Sequence, residues 1–368
     1  MRPWWWLFTP LFLAIELKTL YLWWIGWDVE YANTKWVVLE IILPKETSVP
    51  IRAMEDIFSL IWSSTIDLAN WRERWCIGNL GDTPYWMSWE IVSIEGKLHF
   101  YARVMQGHRA GLESTLYSHY PTLEINQVSD YTKNVPQDIP NKDWNLYGEY
   151  YILGKNPAFP IKTYEKFFEP EGEKIMVEEK RIDPIVSLLE ALSKLGPGEQ
   201  FWFQFVVSAV EDHDEPTWKK DAQKIINKMA KRPEKKVTTL WEDLWYVAKQ
   251  VILGPEKEGS GQKATHKWID PSKSEGGERE MLITPGERET IADIENKLRK
   301  SVFRTSIRSI YLAKRENFNK SHRLFARAYC GRFQTSGNYL LFDSSTRTRV
   351  HYLFRERRVF IRSRRMFR

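Results

Sequence analysis

Apolar and polar residues alternate most sharply on either side of Glu95-Gly96. Met87, Trp89 and Ile91 before the pair, and Leu98, Phe100, Ala102 and Val104 after it, fall on one face. Two alternating runs around Glu-Gly predict a β-hairpin with a two-residue turn. Its second face carries Trp86, Ser88, Glu90, Lys97, His99, Tyr101 and Arg103. Around the hairpin the period changes. Residues 36–43 are a β-branched run of strand length that ends at Pro44. Met54, Ile57, Phe58 and Ile61 then recur at helical spacing behind an N-cap at Ser48. Residues 107–120 put Leu112, Leu116 and Tyr120 on one helical side before Pro121, and residues 123–128 read as another strand. The order over residues 34–131 is strand, helix, strand, strand, helix, strand. That order predicts a ferredoxin-like βαββαβ unit, with both helices on one face of its sheet and the other face left to a partner.

A second unit follows over residues 183–345. Asp183-Pro184 opens a helix with the face Ile185, Leu188, Leu189, Leu192 and Leu195, and Gly196-Pro197 closes it. The strand after it, FWFQFVVS at 201–208, parallels WMSWEIVS at 86–93. Residues 302–312 read as its partner strand, 318–333 as a helix and 339–342 as a strand. Between the units, residues 132–182 are punctuated by proline and read as a linker, with one strand near 146–153 and a loop packed across the junction. Residues 211–300 read as an insertion, helical over 217–231 and 239–253 and disordered over the Gly-, Ser-, Lys- and Glu-rich stretch 254–277. Thr284-Pro285-Gly286-Glu287 is a capping box that starts one more helix. The fold class is therefore α+β, two ferredoxin-like units in tandem.

The chain begins differently. Residues 4–27 are almost wholly apolar, and as a helix they are about 36 Å long, enough to cross a bilayer. Trp4, Trp5 and Trp6 at one end and Trp23, Trp24 and Trp27 at the other resemble interfacial belts. Glu16 and Lys18 stand against a full span, so an interfacial or core-packed helix is the alternative. Residues 1–28 are assigned to a membrane-associated segment, with the soluble part on the cytoplasmic side.

Charge sharpens this division. The net charge is +6, but residues 346–368 hold nine arginines against the single Glu356, so the basicity belongs to the tail. Arg347, Arg349, Arg355, Arg357, Arg358, Arg362, Arg364, Arg365 and Arg368 suit an anionic surface, either lipid or nucleic acid. The two cysteines, Cys76 and Cys330, have no CxxC spacing, which argues against structural zinc and for a reducing compartment. Gly96-Lys97 and Gly154-Lys155 lack the upstream glycine of a phosphate-binding loop. His213, in an acidic turn, reads as a solvated loop, and His108, His119 and Glu113 as surface hydrogen-bonding groups. No catalytic constellation, metal site or cofactor site is expected. The strip Lys97, His99, Tyr101 and Arg103 is basic and aromatic, as in sheet-based RNA binders, but Glu40 and Glu90 share its face, and Glu90 should stand opposite Tyr101. Cross-strand pairing or a protein interface is the expectation there.

YWMSWEIVSIEGKLHFYARV, LYSHYPTLEI, VPQDIPNKDWNLYGEYY, DPIVSLLEALSKLGPGEQFWFQ and the TPGERETI helix, behind the Trp-rich start, resemble an uncharacterised bacterial family of candidate-phylum genomes. Its members look like the N-terminal part of, or an accessory to, conjugation and type IV secretion ATPases. The resemblance implies a non-catalytic, membrane-anchored scaffold beside a separate P-loop ATPase. The alternative is a nucleic-acid-binding module using the tail and the hairpin strip.

Overall fold

The structure is a computed structural model of residues 1–368, and it describes residues 5–26, 31–44, 49–65, 85–167, 183–210, 216–230, 257–258, 265–266 and 284–343. The chain divides into two compact units, residues 1–215 with 299–368, and residues 216–298.

The alternating runs of the first unit become one antiparallel sheet. Its strands are β1 (Trp36–Ile42), β2 (Trp86–Ile94), β3 (Lys97–Met105), β4 (Glu124–Val128), β5 (Trp144–Leu153), β6 (Glu199–Ala209), β9 (Phe303–Lys314) and β10 (Leu340–Phe342); β7 and β8 belong to the other unit. The spatial order is β10-β5-β9-β6-β2-β3-β1-β4. Each half of that row runs fourth, first, third, second in chain order, and β2 joins the halves by pairing with β6 from Trp86↔Ser208 to Ile94↔Gln200. The mixed α+β class stands. Residues 144–153, which the sequence assigns to the linker, form β5, inside the sheet between β10 and β9.

Four helices pack on one face. Beside the first half lie α2 (Ala53–Thr65) and α3 (Arg109–His119), whose Ile57, Ile61, Leu112 and Leu116 meet Leu39, Met87, Ala102 and Val104. Beside the second half lie α4 (Val186–Ser193) and α7 (Leu324–Gly331), with Leu188, Leu192, Ala326 and Cys330 against Phe201, Phe203 and Tyr311. Asp183 accepts from the Ile185 amide at 2.9 Å in the turn that precedes α4, whose N-cap position is Ile185 and carries no side-chain cap. The helix expected over 318–333 begins instead as a tight turn, Lys320–Arg323, where the Asn319 side chain accepts from the Ser321 amide.

The other sheet face carries a third core. Val38, Val92, Tyr101, Trp202 and Leu312 are covered by Tyr131, Val135 and Ile139 of the connection between the halves, with Trp144 at the start of β5 packed beside them. The face expected to stay open to a partner is thus roofed over its middle, because the strands present large apolar groups on both faces and the connection buries the second set.

The hairpin turn is as expected. Glu95 and Gly96 both have positive φ, 52° and 83°, the backbone that a twisted two-residue turn requires. A Cβ on Gly96 would stand 2.8 Å from the Ser193 carbonyl oxygen, so the turn also docks tightly on the end of α4. The parallel between 86–93 and 201–208, by contrast, is out of phase. It aligns Glu90 with Phe205, yet Glu90 belongs to the roofed face and Phe205 to the core beneath α4 and α7. A one-residue slip exchanges the faces of a strand, so the two runs share composition rather than register.

The N-terminal helix α1 spans Trp5–Trp24. No helix among the described residues is long and apolar enough to cross a membrane, which corrects the expectation of a spanning segment. Glu16 and Lys18 interrupt the apolar run, and Leu13, Leu17, Leu20, Tyr21 and Trp24 are exposed along the helix. Trp4 and Trp27 lie outside the described residues, and the backbone of Trp5, Trp6 and Trp23 is helical.

In the other unit, α5 (Pro216–Met229) and α6 (Pro285–Arg299) are helical where expected. The capping box forms: the Glu287 carboxylate accepts from the Thr284 amide at 2.9 Å, and Thr284 Oγ1 accepts from the Glu287 amide at 3.3 Å. The stretch read as disordered contains a two-strand pair, β7 (Lys257–Glu258) with β8 (Thr265–His266). The helix expected over 239–253 lies outside the described residues.

Candidate functional site: a polar row beneath the roof

One row of polar side chains crosses seven strands on the roofed face. From β5 to β4 it reads Tyr150, Arg308, Gln204, Glu90, Tyr101, Glu40 and Asn126, each directly opposite the next. Glu90 and Gln204 hold its centre, where the two halves join.

The Glu90 side chain is 1% exposed. It accepts hydrogen bonds from Ser88 and from the Tyr131 hydroxyl, and Arg103 Nε stands 3.6 Å away. Gln204 donates to the Tyr131 oxygen at 2.7 Å and accepts from Arg308 Nε at 2.6 Å. Tyr131 is therefore keyed into both halves at once. Burial, and then the Glu90 charge, push its phenol far above the ordinary value, so it stays a neutral donor.

Three members of the predicted strip, His99, Tyr101 and Arg103, have a partner or a cover within the fold. His99 Nδ1 lies 2.7 Å from Glu40 Oε1, and its ring stacks on Tyr101 at 5.6 Å between centroids. Tyr101 is 7% exposed and stacks on Tyr131 at 5.1 Å. Burial first, then Glu40 and Glu90, raise its hydroxyl to about 12. Arg103 grips Asp130 with two parallel hydrogen bonds, 2.8 and 2.9 Å. Burial opposes ionisation of Asp130, but hydrogen bonds from Arg103 and Thr132 outweigh it and hold the carboxyl at about 2. Lys97, at the hairpin end, is exposed. His99, Tyr101 and Arg103 thus form internal clasps. The nine tail arginines, from Arg347 to Arg368, lie outside the described residues.

Sequence reasoning found Glu90, Tyr101 and their pairing, and it missed Tyr131, Asp130, Gln204 and Arg308. Phase offered a signal for two of them: Gln204 and Arg308 occupy the face of Trp202 and Ile310, and a polar group in such a run needs a partner.

A second cluster lies under the helices. The wholly buried Glu149 carboxylate accepts from Arg327 Nη2 at 2.6 Å, Tyr151 at 2.7 Å and Tyr147 at 2.9 Å. Burial raises the Glu149 carboxyl, and the Arg327 and tyrosine hydrogen bonds overcome that and lower it. Nearby, Glu199 accepts from Tyr311, and His322 Nδ1 lies 3.1 Å from the same oxygen. The Cys330 thiol is pushed up to about 12 by burial and by Glu149, which keeps it protonated and unreactive at neutral pH. His119 hydrogen-bonds with Ser118 on its own helix, and Glu113 pairs with Arg109 at 2.7 Å, both as expected of surface groups. Among the described residues no three His, Cys, Asp or Glu side chains gather as a metal site.

These clusters hold elements together. The chain matches no family model, no curated protein and no solved structure. Its functional reading therefore rests on its own residues and on the resemblance described above.

Proposed function

We propose that the chain is a non-catalytic scaffold of two ferredoxin-like units, a membrane-anchored, partner-binding component of a conjugation or type IV secretion-like DNA-transfer apparatus that works beside a separate P-loop ATPase. The observation that carries the reading is the polar row. Its charged groups are held by neighbouring side chains, Glu90 by Ser88 and Tyr131 of the roof, Glu40 by His99 and Arg308 by Gln204, an arrangement that gives rigidity rather than turnover. The repeated strand order supports the two-unit description. The apolar stripe of Leu13, Leu17, Leu20 and Trp24 supports anchoring through the interface of a cytoplasmic leaflet, since such a surface is stabilised where lipid covers it.

Fractionation of cells expressing the full chain, or the chain without residues 1–28, tests the anchor. The full chain is expected in the membrane pellet and the shortened one in the supernatant; pelleting unchanged by the deletion rejects the anchor. Crosslinking in the native cell is expected to trap a P-loop ATPase on the chain, and crosslinks that never include one reject the apparatus reading.

A further inference from the structure

The second unit, residues 216–298, is joined to the first by two stretches of chain, one after β6 and one before β9. Antiparallel strands open first at their ends, where no further rung holds the last amides and carbonyls. At this end α2 takes the place of a further rung. Glu55, Ser59 and Trp62 recur at i, i+4 and i+7, so they share one side of that helix. All three reach the root of the insertion. The Val210 amide closes the ladder on the Val302 carbonyl at 3.0 Å, and the Trp62 indole Nε1 then donates to the Val210 carbonyl at 3.2 Å. Ser59 Oγ lies 3.4 Å from Ser301 Oγ, and the Glu55 carboxylate accepts from Lys300 Nζ. Phe58 sets its ring edge-on to Phe303 at 5.9 Å. One helix therefore holds both strands of the root.

These contacts are of two kinds. Phe58 packs with Ile57 and Ile61 on the core of the first half, which seats α2 on the sheet. The polar contacts are more open to water. The Glu55 and Lys300 side chains are 34% and 50% exposed, so salt screens their attraction. A firm apolar seat beside a weak polar clasp lets the clasp open without unseating the helix.

We propose that α2 is a releasable latch on the root of the insertion. With its polar side closed, the last rungs of the β6–β9 ladder are held shut; with it open, those rungs fray while the rest of the sheet stays paired. The latch is built from contacts within the first unit and does not depend on the scaffold reading.

Hydrogen–deuterium exchange of the full chain, followed by mass spectrometry, tests this. Peptides covering 205–210 and 302–307 report the root, and those covering 199–204 and 308–313 report the far half of the same ladder. Trp62→Phe keeps an aromatic ring and removes the N–H. Combined with Glu55→Gln, it is expected to speed exchange at the root about three- to tenfold, as for the loss of one hydrogen bond, and to change the far half by less than about twofold. In the unaltered chain, raising the salt is expected to speed the root by about twofold, and Glu55→Gln is expected to abolish that salt effect without lowering the melting temperature. Ser64, hydrogen-bonded to the Ile61 carbonyl of its own helix, supplies the control: Ser64→Ala is expected to leave the root unchanged.

Unchanged exchange at the root in the double variant overturns the proposal. Equal acceleration of both halves of the ladder also overturns it, because that is the mark of global destabilisation. So does a salt effect of full size in Glu55→Gln, or a faster root in Ser64→Ala.

Discussion

Glu149 and Arg327 show what a single buried pair does here. The carboxylate is wholly buried, and the guanidinium of α7 is tied to it and to Tyr147, which fastens helix to strand. Removing one partner leaves an uncompensated charge, which costs about 3–5 kcal/mol, whereas replacing both with apolar residues of similar volume costs far less. Urea denaturation is expected to show a large fall in midpoint for Glu149→Met or Arg327→Met alone and substantial recovery in the double variant. Asp130 and Arg103 make a different prediction. The Asp130 carboxyl sits at about 2 against an ordinary value of 3.8, so the folded state favours its ionised form. The stability it contributes is complete above the ordinary value and is lost as pH falls through about 2. Acid titration followed by tyrosine fluorescence is expected to show a step across that window, absent from Asp130→Asn.

Among the elements, the hairpin turn and the connection between the halves behave in opposite ways. The turn is rigid on two counts, positive φ and the closeness of the Ser193 carbonyl. Gly96→Ala is expected to cost about 1–2 kcal/mol from the backbone conformation and more from the contact, whereas Gly107→Ala, with open space around it, is expected to be close to neutral by thermal melting. The turn was legible in the sequence because Glu-Gly between alternating runs has few other conformations. The roof was not, since residues 131–143 have no period and their prolines suggest a linker. Tyr131 is recognisable as a keystone only once Glu90 and Gln204 are known to be neighbours, and their pairing joins residues more than 100 positions apart, beyond any local pattern. For β5 the cause is similar: a strand embedded in proline-punctuated chain looks like an isolated piece until β9 and β10 flank it.

Across the whole molecule the sheet explains why the insertion is tolerated. β6 and β9 remain paired to Ala209↔Phe303, and the Val210 amide bonds to the Val302 carbonyl at 3.0 Å just beyond, so the strands close the ladder at the ends of the insertion. Replacing residues 216–298 with a short Gly/Ser linker is expected to leave a folded sheet with a cooperative melt, checked by circular dichroism; loss of cooperative unfolding would show that the second unit is required. Strand length also grades outward. β9 has 12 residues and β6 has 11, whereas the outermost strands β4 and β10 have five and three, which limits the backbone left unpaired at the margins.

The seam between β2 and β6 has a consequence in time. During synthesis β2 leaves the ribosome roughly 110 residues ahead of the strand that pairs with it, an interval of about 5–20 s at ordinary rates of elongation. Throughout that interval Trp86–Ile94, a nine-residue strand with Trp, Met and Ile on its inner side, has a bare edge. The nascent first half is accordingly the most aggregation-prone species this chain passes through. Its production should depend more on translation speed and on chaperone supply than the stability of the finished sheet would suggest.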